Sequence, residues 1–406
     1  MKKLLAALVG VLVLFGGFMT WQQLKNNDAP IGSNPDALVD VPAAENAEEG
    51  VPTVEEAPRG LDYDAIRALH DADETVIRLA DEELSWSEYS EWLCMTGRQI
   101  EDFFNQMYLY YGLAADWTGS VGDETGRTYA QYAVSDTNNY LTRILAIRAM
   151  ADEMGLALDE GDLAALDPEQ LAAELFGEGA TVDDLAAVLE QENHMTVSAY
   201  RSMSAANILY SKIAEALYGE NGAKVDEADA VAWMEEQGYV SAGHILFMTI
   251  DPDTGDALDA AVIAEKKATA DAIYAELSAI EDREELLRRF AELKAQYCED
   301  GGKLVYPDGY TYTPGTMVAE FEDTVNALDE YAVAEPVQTA YGYHVILRLP
   351  LRGDSLLYSA QGTPYTAREQ LASAGAAEAL TAFEAEHPAE FADGLEELDL
   401  TPFILG

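Results

Sequence analysis

The chain has 406 residues, 49% of them apolar, with 75 acidic residues against 23 basic ones and a formal net charge of −52. That length exceeds a usual single domain and the apolar content suffices for ordinary cores, so two globular units with extensions are expected. A surface this acidic excludes a nucleic-acid partner, which would need clustered Lys and Arg. It keeps the protein soluble and self-repelling, and a bias toward basic or unfolded clients is the weaker of its implications. Cys94 and Cys298 stand far apart in segments that read as different domains, so there is no disulfide scaffold and no CxxC metal or redox motif.

At the N-terminus, Met1-Lys2-Lys3 precedes an apolar run from Leu4 to Trp21, followed by Gln22, Gln23 and Lys25. This is the pattern of an export signal. The run is long for a signal core, and no A-x-A cleavage site follows, so residues 1–26 are expected to be an uncleaved membrane anchor; cleavage would give a secreted protein instead. Lys2 and Lys3 orient the body away from the cytoplasm. No cysteine lies near the run to carry a lipid. Residues 27–60 contain Pro30, Pro35, Pro42, Pro52 and Pro58 among acidic and small residues. Such a segment buries too little apolar surface to offset its ordering entropy, and reads as an extended disordered tether.

Thr75 to Leu79 alternates like a short strand, and Ser85 with Glu88 forms a capping box ahead of a helix reaching about Gly112. Trp92, Ile100, Phe103, Met107 and Tyr110 are expected on one face of it, as core rather than as a client groove. A second helix is marked by Tyr140, Ile144, Ile147, Ala151 and Met154, with Gly155 as its stop. Further helices are expected over 167–176, 182–192 and 196–218, which makes 61–237 a mostly α-helical domain.

After a short helix at 228–237 the pattern becomes strand-like from Tyr239 to Ile250, then helical over 258–279 and 284–297. A loop rich in Gly, Pro and Tyr fills 299–316, followed by a short helix at 317–328 and a strand at 341–349. That order describes an α+β module over 238–350. Residues 351–406 return to helical pattern, with an Ala-rich stretch at 365–386 and a closing segment from Leu395 to Leu405. The tail is too short for its own core, so the module is expected to be inserted between two parts of one helical domain.

Several short motifs follow one another inside the module. They are Gly243-His244-Ile245-Leu246, then Tyr297-Cys298-Glu299-Asp300, then Gly315-Thr316-Met317 with Phe321-Glu322, then Pro336-Val337-Gln338-Thr339, and finally Tyr341-Gly342-Tyr343-His344-Val345-Ile346. Each alone is weak; in this order and spacing they resemble the parvulin family of peptidyl-prolyl cis/trans isomerases. The wider layout of export signal, helical domain, module and helical tail resembles the SurA/PrsA-type extracytoplasmic foldases. The resemblance implies that Met317 and Phe321 form an apolar pocket for the proline ring, that His244 and His344 are the paired histidines beneath it, and that Thr339 belongs to the same network. It implies that Asp300 takes the place of the family's Cys or Asp facing the amide, and that Tyr341 stands where another aromatic or a serine is common. One departure is that Gly301-Gly302 follow Asp300 at once, where the family has several intervening residues. Another is that Tyr306, Tyr310 and Tyr312 occupy a stretch where a GGDLG run is common.

These residue types suit the chemistry. An X-Pro bond turns slowly because rotation opposes amide resonance, with a barrier of roughly 18–20 kcal/mol. A twisted amide loses that resonance and its charge separation, so a dry pocket holding the proline favours the twisted form without any covalent step. The Thr and His groups can satisfy one another and set the field near the carbonyl, or serve only to hold the pocket floor together. Cys298 sits beside Glu299 and Asp300, which disfavour a thiolate, and reads as packing. No HExxH, P-loop, GxGxxG or GxSxG motif occurs, and no metal or cofactor is implied. The expected partners are unfolded or partly folded exported polypeptides with X-Pro bonds. A catalytically weak or inactive holdase on the same fold is the alternative. Arg348 and Arg352 are too few to favour phosphorylated substrates.

Overall fold

The computed structural model describes residues 60–122, 125–358 and 364–405. The apolar run at 4–21 and the tether up to residue 59 lie outside the described residues, within which no helix is long and apolar enough to cross a membrane. The described residues divide into two compact units, one formed by those up to Ser211 together with those from Ala382 onward, the other by those from Lys212 to Thr381.

The first unit starts with a short helix α1 (Tyr63–Arg67) and a hairpin of β1 (Thr75–Leu79) and β2 (Glu82–Ser85). Ser85 ends the hairpin and caps α2 (Trp86–Tyr111), exchanging hydrogen bonds with Glu88 as the capping box requires. Helix α2 ends at Gly112, which adopts φ 65°, a left-handed conformation natural to glycine. Of the expected face, Trp92 and Ile100 lie in the core, while Phe103 and Met107 are only partly buried. Leu93, Ile100 and Phe104 are buried, and Phe104, not Phe103, makes edge-on ring contacts with Trp117 at 5.4 Å and Tyr129 at 4.9 Å. Tyr110 is 79% exposed, so the expected face does not stay in the core to the helix end.

Helix α3 (Tyr129–Glu153) has a Thr128–Gln131 capping box and buries Leu141, Ile144, Leu145 and Ile147. Gly155, at φ 67°, follows its last turn. Next come α4 (Glu160–Ala165), α5 (Pro168–Phe176), α6 (Val182–Asn193) and α7 (Val197–Tyr218). Helix α4 lacked a recognisable pattern because its six residues bury none of their side chains. In α5, Pro168 occupies the first turn, where its missing N–H costs nothing.

In the second unit, α8 (Glu227–Glu236) precedes β3 (Val240–Met248), α9 (Ala260–Leu277), α10 (Arg283–Tyr297), β4 (Tyr310–Tyr312), α11 (Ala319–Ala327), β5 (Val337–Gln338), β6 (Gly342–Leu349) and α12 (Ala367–Glu386). The strands form an antiparallel sheet in the order β4-β3-β6-β5. Both faces of its central pair are covered, which is why β3 reads as a nearly unbroken apolar run. Ile245, Phe247, Val345 and Leu347 pack with Ile273, Leu286, Phe290 and Leu293 of α9 and α10. Ala242 and Ile346 face the other way, toward Phe321 and Val325 of α11 and Tyr306, Tyr310 and Tyr312.

The chain's last strand, β7 (Glu390–Phe391), pairs with β1 in the first unit, giving a sheet ordered β2-β1-β7. The closing segment expected to be helical is instead an irregular strap with one 3-10 turn at Thr401–Phe403. It is anchored by buried Leu395 and Leu400 and by a bridge from Ile404 to Leu61.

Candidate active site

The register of β3 against β6 sets His244 opposite Ile346 and Leu246 opposite His344. The two histidines are therefore diagonal neighbours, and both side chains emerge on the α11 side of the sheet. Their rings stack at 5.1 Å and 25°, with Nδ1 to Nδ1 at 3.0 Å. Gly342 opens β6 at φ 152°, where an added Cβ would lie 2.0 Å from the carbonyl oxygen of Phe247; only glycine lets the strands close there.

Asp300 is delivered by the chain leaving α10. Buried Cys298 fixes that exit: its sulfur accepts from the Leu246 N–H at 3.4 Å and lies 3.7 Å from the His244 carbonyl, while the Glu299 N–H donates to the Leu246 carbonyl at 2.9 Å. The thiol is thus a packing element. Asp300 then caps the turn Gly301–Leu304, its Oδ1 accepting from the Gly302 N–H at 2.9 Å. Its Oδ2 lies 2.9 Å from His244 Nε2 and accepts the Tyr310 hydroxyl at 2.6 Å. An added Cβ at Gly302 would lie 1.8 Å from that hydroxyl. Gly302 therefore makes room for Tyr310, whereas the Cβ position of Gly301 meets nothing within 4 Å.

At the other end, Thr339 Oγ1 lies 2.9 Å from His344 Nε2 and accepts the Tyr341 N–H at 3.1 Å. The carboxylate of Asp300 only accepts, so His244 Nε2 carries a proton. One proton lies between the two Nδ1 atoms, and His344 turns its other nitrogen, Nε2, to the Thr339 hydroxyl. Burial, reinforced by the neighbouring His244, pushes the pKa of His344 down to about 3, so His344 is neutral. Burial alone would raise the carboxyl of Asp300, but hydrogen bonds from His244, Tyr310 and the Gly302 N–H outweigh it and hold Asp300 well below the usual carboxylate range.

Phe321, 3% exposed, covers this chain from α11, with its ring nearly perpendicular to His244 at 5.4 Å and to His344 at 5.7 Å. Met317 is half-buried beside the same cluster, in a loop pinned by Glu322, whose carboxylate accepts the Gly315 and Met317 N–H groups at 3.0 and 2.7 Å. Tyr341 is 50% exposed. His244, Asp300, His344 and Thr339 thus form one hydrogen-bonded chain with Phe321 against it and Met317 packed on the same cluster, while Tyr341 joins through its backbone. Tyr310 was not foreseen as part of the site. Tyr310 and Tyr312 fall at alternate positions, as on a strand, but the surrounding Gly and Pro residues gave the stretch the appearance of a loop.

Residues 244–349 match the rotamase family, described as the PPIC-type PPIase domain, so this part of the chain is a parvulin-type peptidyl-prolyl isomerase domain. Its relatives are foldases and chaperones. The chain is 47% identical to foldase protein PrsA 3 of Bacillus anthracis over 58 residues, 14% of this chain and 20% of that protein. It is 38% identical to foldase protein PrsA of a Geobacillus species over 88 residues, 21% of this chain and 29% of that one. The matches thus span less than a third of those curated relatives. Among solved structures, PrsA from Bacillus subtilis is 16% identical, with 78% of this chain and 93% of that chain covered at a TM-score of 0.27.

Proposed function

We propose that this chain is a peptidyl-prolyl cis/trans isomerase that assists the folding of exported polypeptides outside the cytoplasmic membrane, held there by residues 4–21 or released if they are cleaved. The observation that carries this reading is the closed hydrogen-bond chain from Asp300 through His244 and His344 to Thr339, covered by Phe321. A proline ring lying against Met317 and Phe321 has its imide desolvated, and desolvation favours the twisted amide, which is less charge-separated than the planar one. The hydrogen-bonded histidine pair beneath supplies fixed dipoles that need not reorganise as the carbonyl turns. No bond to the protein forms. In this reading His244, His344, Thr339 and Asp300 build the floor, Met317 and Phe321 take the ring, and Tyr341 lines the rim.

A second reading, a holdase with little catalysis, is favoured by one feature. Leu109 and Tyr110 at the end of α2 are each 79% exposed, an unusual outlay of apolar surface that an extended chain could cover. The two readings separate in one assay pair on the full-length protein: turnover of X-Pro tetrapeptides and suppression of client aggregation. The isomerase reading expects turnover that is lost in Met317→Ala. Aggregation suppression without turnover of any peptide would leave the holdase.

A further inference from the structure

Asp300 orients the dyad, and what orients Asp300 is not explained by the histidines. Its Oδ2 is shared by His244 Nε2 and the Tyr310 hydroxyl, and the latter contact is the shorter at 2.6 Å. The ammonium groups around this turn are committed elsewhere. Lys294 donates to the Pro307 carbonyl at 2.7 Å and to that of Tyr306, and Lys303 donates to the Cys298 carbonyl. Tyr310 itself is buried, and its ring stands edge-on to His244 at 5.5 Å. It is also gripped from outside the family-matched segment. The Tyr358 ring meets Tyr310 at 5.5 Å and Tyr306 at 5.4 Å, and the Tyr358 N–H donates to the Thr311 carbonyl at 2.7 Å. Leu356 and Tyr358 pack with the α11 cluster, while Leu357 between them packs with Ala230 and Met234 of α8 and Ala367 of α12. This alternation is that of a strand lying along the open edge of β4.

We infer that Tyr310 is a positioning residue that fixes the Asp300 carboxylate, and through it the tautomers of His244 and His344, and that Tyr358 holds the Tyr310 ring in place. Its catalytic meaning rests on the isomerase reading. The physical reason is geometric. A carboxylate with one donor on Oδ1 and two on Oδ2 cannot swing about its Cβ–Cγ bond, so His244 is held with its Nε2 proton on Asp300 and its Nδ1 toward His344. The titratable groups around Asp300 are His244 on β3, His344 on β6, Tyr310 on β4, and Lys294 and Cys298 at the end of α10. Tyr310 alone supplies a side-chain hydroxyl to it.

The test compares full-length wild type, Tyr310→Phe and Tyr358→Ala by the imidazole ¹⁵N shifts of the histidines and by the pH profile of kcat/KM for an X-Pro peptide. Tyr310→Phe keeps the ring and removes one oxygen. Its kcat/KM is expected to fall roughly tenfold, the scale of a lost hydrogen bond to a charged group. The acid limb moves to higher pH, because the carboxylate has lost a donor, and the ring shifts of His244 and His344 move from single tautomers toward averaged values. In an Asp300→Asn background the same change adds little, since the two act as a unit. Tyr358→Ala moves the ring shifts in the same direction by less. Wild-type ring shifts and acid limb in Tyr310→Phe, or effects of Tyr310→Phe and Asp300→Asn that simply add, would overturn the assignment; unchanged ring shifts in Tyr358→Ala would overturn its second half. A wild type without turnover defeats the isomerase reading, while the ring shifts still decide the role of Tyr310.

Discussion

Between α2 and α3, the Tyr89 hydroxyl meets Asn138 Oδ1 at 2.7 Å and the Thr137 hydroxyl returns to the carbonyl of Ala133, one turn back on its own helix, at 2.8 Å. In the isomerase domain, by contrast, Asp300, His244, His344 and Thr339 are strung into one chain that crosses two strands and ends on a carboxylate. The helical bonds are neutral; replacing both Tyr89 and Asn138 by apolar groups leaves neither partner of their pair buried and wanting. The chain in the domain is charged and directional, so that a change at one link leaves the next group with the wrong proton. Polar burial serves packing in the first unit and fixes a set of protonation states in the second.

The largest expected effect breaks the cover of the charged chain. Phe321→Ala should cost about 3–5 kcal/mol in urea unfolding, through the cavity it leaves, and abolish X-Pro turnover. Acid comes next. The folded pKa of His344 is about 3, below the ordinary value of about 6.5, so the unfolded state alone binds this proton between those pH values. Stability therefore falls as pH drops from about 6.5 toward 3, by up to about 1.4 kcal/mol per pH unit for this one proton. Asp300, held below the usual carboxylate range, adds a further loss that begins only below about pH 4. Urea midpoints between pH 7 and pH 3 should show the first slope flattened in His344→Gln.

His244→Ala removes a donor from a carboxylate and should cost ~1.5–3 kcal/mol by the same measurement. Tyr89→Phe, at a neutral pair, should cost only about 1–2 kcal/mol, and Tyr89→Phe with Asn138→Leu should recover most of it. The contrast between the units would be blunted if that double variant stayed as unstable as His244→Ala. Smallest is Ser85→Ala, which removes the α2 cap for about 1 kcal/mol and should leave turnover unchanged.

Much of this was readable from residue order. Ser85 and Glu88 announced α2, Gly112 and Gly155 marked helix ends, and the pattern from Tyr239 to Ile250 announced a strand. Other features depend on partners remote in sequence. Phe103 and Phe104 are equivalent to a periodic reading; Tyr129 meets both rings, and it is Trp117 that packs on Phe104 alone of the two. Strand β4 has three residues, and its strand character comes from pairing with Val240, Ser241 and Ala242. The hydroxyl of Tyr310 reaches Asp300 across ten residues that local pattern treats as loop. His244, His344, Asp300 and Thr339 were legible by their motifs, whereas Tyr310 and Tyr358, which hold Asp300 in turn, were not, because their approach is tertiary.

In an isomerase, the covered hydrogen-bond chain catalyses rotation about X-Pro bonds. Exchange spectroscopy on a panel of X-Pro tetrapeptides with the full-length protein measures cis/trans interconversion directly. Acceleration by the wild type that disappears in Met317→Ala, with the variant's histidine ring shifts unaltered, is the predicted result. Interconversion at the uncatalysed rate for every peptide, in a protein whose ring shifts show the chain intact, would contradict it.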